Sequence, residues 1–173
     1  EIFIVGANGQ LGTALKKQYP NAKFADIEEL DITDLKSVNA YDWTGIKIIL
    51  NAAAYTQVDM AEQEYDLSQK INSRVPRILA EYIAPIPRGV LVHVSTDYVF
   101  DGLKTSPYLE IDETRPMSQY GMSKRDGELE ILETFHRLSN RAQEAAAKFF
   151  ILRTSWVYGA GGNFIKTILR LAQ

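Results

Sequence analysis

The sequence predicts an α/β protein built on a doubly wound, Rossmann-like parallel sheet, and three observations support that prediction. Short apolar runs alternate along the chain with stretches of helical periodicity, as in successive βαβ units. The first apolar run, residues 2–5, is continuous, which is typical of a strand buried on both faces. A glycine-rich turn follows this run and opens a helix. The length of 173 residues suits one domain with a sizeable core.

The alternation predicts five strands with helices between them. The strands are expected at residues 2–5, 22–26, 46–50, 90–94 and 149–152. The helices are expected at residues 10–18, 34–40, 59–83 and 119–135, with Pro76 breaking or restarting the third. Residues 95–118 contain a glycine and two prolines and predict a long loop, a kind of segment that is usually functional. Residues 136–148 predict a helical surface insertion, and residues 164–173 have a further helical pattern.

Composition and charge exclude several classes of function. The net charge is −3 and no basic tract is present, so no nucleic-acid surface is predicted. The lack of cysteine excludes disulfides, thiolate catalysis and cysteine metal sites; no metal site is predicted, and the composition suits a cytoplasmic protein. The longest apolar run, residues 46–54, is far shorter than the roughly 20 residues of a membrane helix, so no membrane partner is predicted. Because the chain opens at Glu1 without an initiator Met and closes in an uncapped helical pattern, we expect it to come from a longer polypeptide.

The glycine-rich turn has the G-x-x-G-x-x-G spacing of a dinucleotide-binding turn. One glycine permits the tight turn, another lets backbone N–H groups approach a pyrophosphate, and the last lets helix and strand pack closely. The phosphates then lie at the positive N-terminus of the helix. An acidic residue about 20 positions later completes the pattern. Contacts to the cofactor are therefore predicted for Gly6, Asn8, Gly9, Gln10, Leu11, Gly12 and Asp26.

Asp26 predicts which nicotinamide cofactor is preferred. Its carboxylate, at the end of the second strand, could accept hydrogen bonds from the ribose hydroxyls of adenosine. Ile27, Glu28 and Glu29 follow it, and no Lys or Arg in that stretch could neutralise a 2′-phosphate. NADH is therefore the preferred cofactor, with NADPH as the alternative. The other interpretation of Asp26 is a solvated carboxylate at a strand end.

A tyrosine and a lysine four residues apart form the candidate catalytic pair. Tyr120 and Lys124 lie on one face of a helix, one turn apart. A nearby ammonium favours the phenolate, so it is expected to lower the pKa of the phenol from its reference value of about 10. The pair could then exchange a proton with a developing alkoxide. Thr96 follows the fourth strand at the carboxyl edge, where ligands bind in open α/β sheets, and its hydroxyl could hold a carbonyl oxygen.

Six motifs make the sequence similar to the extended short-chain dehydrogenase/reductase family, and within it to the dTDP-4-dehydrorhamnose reductases. They are GANGQLG from Gly6, LDITD from Leu30, NAAAYTQVDMAE from Asn51, HVSTDYVFDG from His93, YGMSK from Tyr120 and RTSWVYG from Arg153. The third, fourth and sixth motifs are the most specific to the rhamnose reductases. The resemblance implies NAD(P)H-dependent reduction of the 4-keto group of dTDP-4-dehydro-L-rhamnose to dTDP-L-rhamnose.

The resemblance also assigns residues to the site. It implies that Thr96, Tyr120 and Lys124 form the catalytic triad. Further cofactor contacts are implied for Asp31 and Ile32 beside the adenine, for Ala52, Ala53 and Tyr55 in the groove, and for Asn72 in support of the proton relay. Sugar-nucleotide contacts are implied for Thr56, Val58, Thr96, Asp97, Tyr98 and Trp156. The family's C-terminal substrate lobe is absent from residues 1–173, so the chain is interpreted as the NAD(P)-binding domain of a longer protein.

Two other functions stay open at this point. The first is a sugar-nucleotide epimerase or dehydratase of the same fold, although dehydratases carry Thr-Asp-Glu where this chain has Thr96-Asp97-Tyr98. The second is a non-catalytic nucleotide-binding regulatory subunit, such as the methionine adenosyltransferase beta subunit. The intact set of Thr96, Tyr120 and Lys124 argues against this second alternative. A homodimer is also left open.

Some residues have purely structural interpretations. His93 alternates with valines and is interpreted as a buried histidine of the sheet, and His136 as a surface residue. Asp59 and Glu62 are interpreted as a solvated first helical turn. Trp156 has packing in the core as its alternative interpretation.

Overall fold

The computed structural model describes residues 1–139, 146–159 and 164–172, which form one sheet of five parallel strands with flanking helices. The strands are β1 (Ile2–Val5), β2 (Lys23–Ala25), β3 (Ile48–Asn51), β4 (Val90–Thr96) and β5 (Lys148–Thr154). Their spatial order is β2-β1-β3-β4-β5, and each neighbouring pair is parallel. The strand order reverses at β1, so the carboxyl ends of β1 and β3 border the crevice where such sheets bind ligands. The predicted fold class is confirmed.

The helices begin close to the predicted positions. They are α1 (Gln10–Gln18), α2 (Leu35–Ala40), α3 (Tyr65–Gln69), α4 (Val75–Ile83), α5 (Gln119–Ser139) and α6 (Phe164–Leu171). The N-cap of α2 is Asp34, whose carboxylate accepts a hydrogen bond from the backbone N–H of Lys36 at 3.1 Å. Helix α5 extends beyond the predicted end at residue 135, because apolar side chains continue at core-facing positions as far as Leu138. Residues 140–145 of the predicted insertion lie outside the described residues.

The predicted helix over residues 59–83 is divided by a π-helical turn. A 3-10 turn at Met60–Glu62 precedes α3, and the π turn at Lys70–Arg74 leads directly into α4. Pro76 lies in the first turn of α4, where the missing N–H of a proline is tolerated. Of the two predicted outcomes at Pro76, a break and a restart, the restart is found. Single π turns inside helices frequently mark functional sites.

The hydrophobic core lies between the sheet and the helices α4 and α5. Its fully buried side chains include Phe3, Ile49, Leu79, Leu91 and Ile131. The edge strand is covered less completely, because Phe150 and Leu152 of β5 are each about half exposed. Among the described residues, no helix combines the length and the apolar character needed to cross a membrane.

A buried ion pair connects β5 to α5. The carboxylate of Glu128, on α5, is 3% exposed and accepts hydrogen bonds from the guanidinium of Arg153, on β5, at 3.0 and 2.7 Å. The hydroxyl of Ser95, on β4, donates a further hydrogen bond to Glu128 at 2.5 Å. Two-pronged pairing of this kind orients both groups, so it fixes α5 over the carboxyl ends of β4 and β5.

Replacing Arg153 by methionine is expected to lower the free energy of unfolding by roughly 3 kcal/mol, because it leaves the Glu128 carboxylate buried and unpaired. Arg115→Met is the matched control, since the ion pair of Arg115 with Glu113 is solvent-exposed and exposed pairs contribute little. Urea denaturation of both variants measures the difference. Equal losses of stability would contradict the anchoring role of Arg153.

Gly127→Ala tests the close approach of α5 to the π turn. A Cβ at position 127 would lie 2.0 Å from the backbone oxygen of Asn72, so the helix must shift, and overpacking of this kind costs about 1–3 kcal/mol. Glu133→Ala, on the exposed side of the same helix, is the control and should leave stability nearly unchanged. Thermal unfolding compares the two, and an unaffected Gly127→Ala variant would show that the backbone contact is not tight.

Candidate active site

The glycine turn brings the ends of β1 and β3 into contact. Gly6 has a φ of +73°, and a Cβ there would lie 2.5 Å from the backbone nitrogen of Ala53, so only glycine fits without strain. A Cβ on Gly12 would lie 2.1 Å from the oxygen of Gly6, so Gly12 serves the packing of α1 against the turn. A Cβ on Gly9 would lie 3.3 Å from the oxygen of Gly6, which is also a tight approach. The three glycines therefore let the turn pack closely, as a turn that brings backbone N–H groups to a phosphate must.

A cavity of about 310 Å³ lies in the crevice between the ends of β1, β2 and β3. It brings together seven of the predicted cofactor residues, namely Gly6, Gly9, Asp26, Asp31, Ile32, Ala52 and Ala53. The remaining lining, none of which was predicted to contact the cofactor, is Val5, Ile27, Leu30, Thr33, Ala54, Ile71 and Val75. Backbone from a glycine turn, two carboxylates and an apolar lining match the groups that hold a phosphate, a ribose and an adenine. The residues present therefore fit a dinucleotide.

Asp26 is already hydrogen-bonded to the turn. The backbone N–H of Asn8 donates to one carboxylate oxygen at 2.8 Å, and that of Ile27 to the other at 2.9 Å. Asp31 is held similarly, because the hydroxyl and N–H of Thr33 donate to it and lower its pKa. Both carboxylates are thus oriented toward the cavity by their neighbours.

The structure shows one cation beside the glycine turn that the residues following Asp26 do not indicate. The ammonium of Lys16, on α1, donates a hydrogen bond at 2.7 Å to the side-chain oxygen of Asn8, the residue whose N–H contacts Asp26. The residues that follow Asp26 do not predict this lysine, because it comes from α1.

Other predicted cofactor residues lie outside the lining of this cavity. Gln10 donates from its side chain to the backbone oxygen of Val157 at 2.7 Å, which ties the glycine turn to the RTSWVYG motif. Leu11 is half-buried at the start of α1. Tyr55 is buried in a small cluster with Ala61 and Tyr120. Its hydroxyl donates a hydrogen bond to the Glu64 carboxylate at 2.6 Å, and this bond raises the pKa of Tyr55 to about 12.

Thr96 and Tyr120 meet at the carboxyl end of β4, as predicted. Thr96 is buried, and its hydroxyl accepts a hydrogen bond from the N–H of Tyr98 at 3.2 Å. Burial raises the pKa of the Tyr120 phenol, and a hydrogen bond with Thr96 opposes that effect less strongly. The predicted lowering of this pKa by Lys124 is therefore wrong, because desolvation of the phenolate dominates.

Lys124 is oriented toward the sheet. Its side chain is buried, and its ammonium donates to the backbone oxygen of Val94 at 2.7 Å and lies 3.5 Å from Nε2 of His93. Burial lowers the pKa of Lys124 to about 8, while the Glu128 carboxylate acts in the opposite direction. His93 is completely buried, which confirms that it faces the interior, and His136 is exposed as predicted.

Asn72, in the π turn, connects the catalytic helix to the loop after β3. Its side-chain oxygen accepts from the N–H of Tyr55 at 2.9 Å, and its nitrogen donates to the oxygen of Tyr55 and to the hydroxyl of Ser123, each at 3.0 Å. Ser123 in turn donates to the backbone oxygen of Tyr120 at 2.8 Å. The side chain of Asn72 thus positions backbone around Tyr120.

Glu62 has a structural role that sequence analysis missed. Its carboxylate accepts a hydrogen bond from the N–H of Gln119 at 2.8 Å, at the N-terminus of α5, where a negative charge is favourable. The interpretation of Glu62 as a merely solvated residue is therefore wrong, whereas Asp59 is exposed. The sequence around Glu62 does not predict this contact, because Gln119 is 57 residues away along the chain.

Most of the predicted sugar-nucleotide residues are exposed, and some of them pack against Tyr120 or its cluster. The ring of Tyr98 packs edge-on against Tyr120 with centroids 5.6 Å apart, and Val58 packs against the cluster that contains Tyr120. Asp97 lines a second cavity of about 610 Å³, which extends along β5. Thr56 is exposed, and Trp156 is 55% exposed, so Trp156 is not a core residue.

Comparison with known proteins places the chain in a family. A family model described as the RmlD substrate binding domain matches residues 1–173. The dTDP-4-dehydrorhamnose reductase of Aggregatibacter actinomycetemcomitans is 42% identical, over 99% of this chain and 57% of its own length. Solved structures of dTDP-4-dehydrorhamnose reductases from Clostridium acetobutylicum and, in complex with NADP, from Bacillus anthracis are 40% and 38% identical, with TM-scores of 0.82 and 0.83. In each case they align with 98% of this chain, which spans 58% of theirs. The chain therefore belongs to the RmlD substrate-binding domain family.

Proposed function

We propose that this chain carries the cofactor-binding and proton-transfer part of a reductase that converts dTDP-4-dehydro-L-rhamnose to dTDP-L-rhamnose. The observation that carries the proposal is the hydrogen bond between Thr96 and Tyr120 at the carboxyl end of β4, with Lys124 bound to the same strand at Val94, on the sheet edge that also holds a cavity fitted to a dinucleotide. The substrate comes from the relatives, which are named dTDP-4-dehydrorhamnose reductases. Because the chain spans just over half of their length, we place most contacts to the sugar nucleotide in the part that it does not span.

The proposed chemistry needs one hydride and one proton. When bound, the reduced nicotinamide supplies a hydride to C4 of the keto-sugar. Thr96 donates a hydrogen bond to the ketone oxygen, and Tyr120 transfers its phenolic proton to that oxygen as negative charge develops there. The raised pKa of Tyr120 keeps the phenol protonated, and therefore ready to donate, at neutral pH. Lys124, one helical turn away, stabilises the resulting phenolate and returns a proton to it.

The residue after Asp97 favours a reductase over a dehydratase. Position 98 is a tyrosine packed against Tyr120, so the second acid of a dehydratase is missing at this position. A phenol there adds an aromatic surface beside the reacting centre and no carboxylate base.

We further propose that NADH is preferred, with NADPH accommodated. The carboxylate of Asp26 lines the cavity and repels a 2′-phosphate. The Lys16 ammonium attracts a 2′-phosphate, and it is hydrogen-bonded to the side chain of Asn8, whose N–H contacts Asp26. The Bacillus anthracis relative was solved with NADP, which agrees with a site in which the two charges oppose each other.

Dissociation constants for NADH and NADPH test this balance of charges. The unmodified protein should bind NADH more tightly. Asp26→Asn should reduce the preference about tenfold, equivalent to roughly 1.4 kcal/mol, and Lys16→Met should weaken NADPH selectively. Lys17→Met, an exposed neighbour on α1, is the control. Tighter binding of NADPH by the unmodified protein would refute the proposed role of Asp26.

Tyr120→Phe in the full-length protein should lower turnover by roughly 10²- to 10⁴-fold, because it removes the proton donor, and should leave the dissociation constant of NADH nearly unchanged. Lys124→Ala should damage both quantities, since the lysine is proposed to serve proton transfer and cofactor binding. Tyr65→Phe, at an exposed tyrosine, is the control. NADH oxidation with the keto-sugar nucleotide measures turnover, and near-normal turnover of Tyr120→Phe would exclude this phenol as the acid.

A further inference from the structure

A buried chain of polar groups behind the catalytic helix is not used by the proposed reaction. Asn51 and His93 are register partners in the β3–β4 pair, and each is at most 1% exposed. The side-chain nitrogen of Asn51 lies 2.9 Å from Nδ1 of His93, and Nε2 of His93 lies 3.5 Å from Nζ of Lys124. These contacts therefore connect the end of β3 to the lysine of the proposed triad.

The orientation of the Asn51 amide fixes the proton on His93. The N–H of Ala53 donates to the side-chain oxygen of Asn51 at 3.1 Å, so the oxygen must lie on that side and the NH₂ must face His93. An NH₂ group can only donate, and Nδ1 of His93 must therefore accept. An imidazole that accepts at Nδ1 is neutral and carries its proton on Nε2, since an imidazolium has two donors and no acceptor.

This tautomer directs an N–H toward Lys124. If the lysine is an ammonium, two donors face each other, which agrees with the long separation of 3.5 Å beside the normal bond of 2.7 Å to Val94. If the lysine is an amine, its lone pair can accept from Nε2–H. We propose that His93 is a positioning residue for Lys124, held by Asn51 as the neutral Nε2–H tautomer so that the Lys124 ammonium releases its proton to the Tyr120 phenolate more readily.

The surroundings of Lys124 support this arrangement. The titratable and charged groups around it are His93 from β4, Glu128 from α5 and, through its pair with Glu128, Arg153 from β5, while Tyr120 lies one turn earlier on α5. Burial, and to a smaller extent Lys124, hold the pKa of His93 well below its usual value, so the imidazole stays neutral. Glu128 favours the ammonium, but it is already bound by Arg153 and Ser95.

The tautomer can be observed directly, since the signals of His93 are identified by their loss in a His93→Leu variant. Long-range ¹H–¹⁵N correlation spectra of the full-length protein should show His93 with an unprotonated Nδ1 and a protonated Nε2 between about pH 6 and pH 9. The exposed His136 supplies the reference signals of a solvated ring. Protonation of His93 at Nδ1, or an imidazolium in that range, would overturn the proposal.

Asn51→Asp tests the effect on the lysine with a change of nearly identical shape. A carboxylate keeps an acceptor for the N–H of Ala53 but also presents one to Nδ1, so the proton of His93 should move to Nδ1 and leave a lone pair on Nε2 facing Lys124. The titration of Lys124, followed by NMR of ¹³C- and ¹⁵N-labelled lysine, should shift to higher pH by about one pH unit.

A double-mutant cycle separates this route from the added negative charge. The Asn51→Asp substitution should shift the Lys124 titration by less than half as much in a His93→Leu protein as in the unmodified one. An equal shift in both backgrounds would show that the charge acts directly and would overturn the positioning role. If Asn51→Asp does not fold, the tautomer of the unmodified protein still decides.

The proposal rests on the proposed function only for the importance of Lys124. Both NMR measurements are made without sugar substrate, so a lack of reductase activity would refute the proposed function and leave the assignment of His93 intact. Conversely, an active reductase with the Nδ1–H tautomer would refute only the role of His93.

Discussion

The position of α5 is the constraint on which the candidate site depends. This helix carries Tyr120 and Lys124, and contacts on either side of these two residues hold it in place. At its N-terminus it is capped by Glu62, and farther along Glu128 is bound by Arg153. Between these contacts the helix approaches neighbouring backbone so closely that a Cβ at Gly121 would lie 2.3 Å from the oxygen of Tyr98. A general acid must be held within hydrogen-bond reach of its target, and these contacts supply that precision.

The fold and the dinucleotide cavity could be predicted because their signals are local. A strand, a glycine turn and a helix follow one another in sequence, and the carboxyl ends of parallel strands necessarily meet at one edge. The features that escaped prediction depend on contacts between distant residues. Lys16, on α1, binds the side chain of Asn8 in the glycine turn. Glu62, in the 3-10 turn before α3, accepts a hydrogen bond from the N-terminus of α5. The pKa of Tyr120 was predicted in the wrong direction because helical spacing shows a neighbouring charge but not the depth of burial.

Burial disfavours the charged forms of the ionisable groups around the triad. Glu128 is neutralised by Arg153, while burial favours the neutral forms of His93, Tyr120 and Lys124. A site of this kind avoids the large cost of isolated charges in a low-dielectric interior. It also makes the protonation state of Lys124 sensitive to its surroundings, since a pKa of about 8 lies close to neutral pH. Groups with such values are well suited to proton transfer.

Positioning of the cofactor and recognition of the substrate make different demands on the structure. The groups assigned to the cofactor lie on tightly packed backbone. Gly6, for example, is so close to the backbone of Ala53 that position 6 has no room for a side chain. The groups assigned to the sugar nucleotide, such as Tyr98 and Trp156, are about half exposed. Exposed aromatic side chains contribute binding energy mainly when a ligand or another surface covers them. Under the proposed function, this chain therefore supplies the groups for hydride and proton transfer, whereas discrimination between sugars requires contacts that cover these exposed side chains.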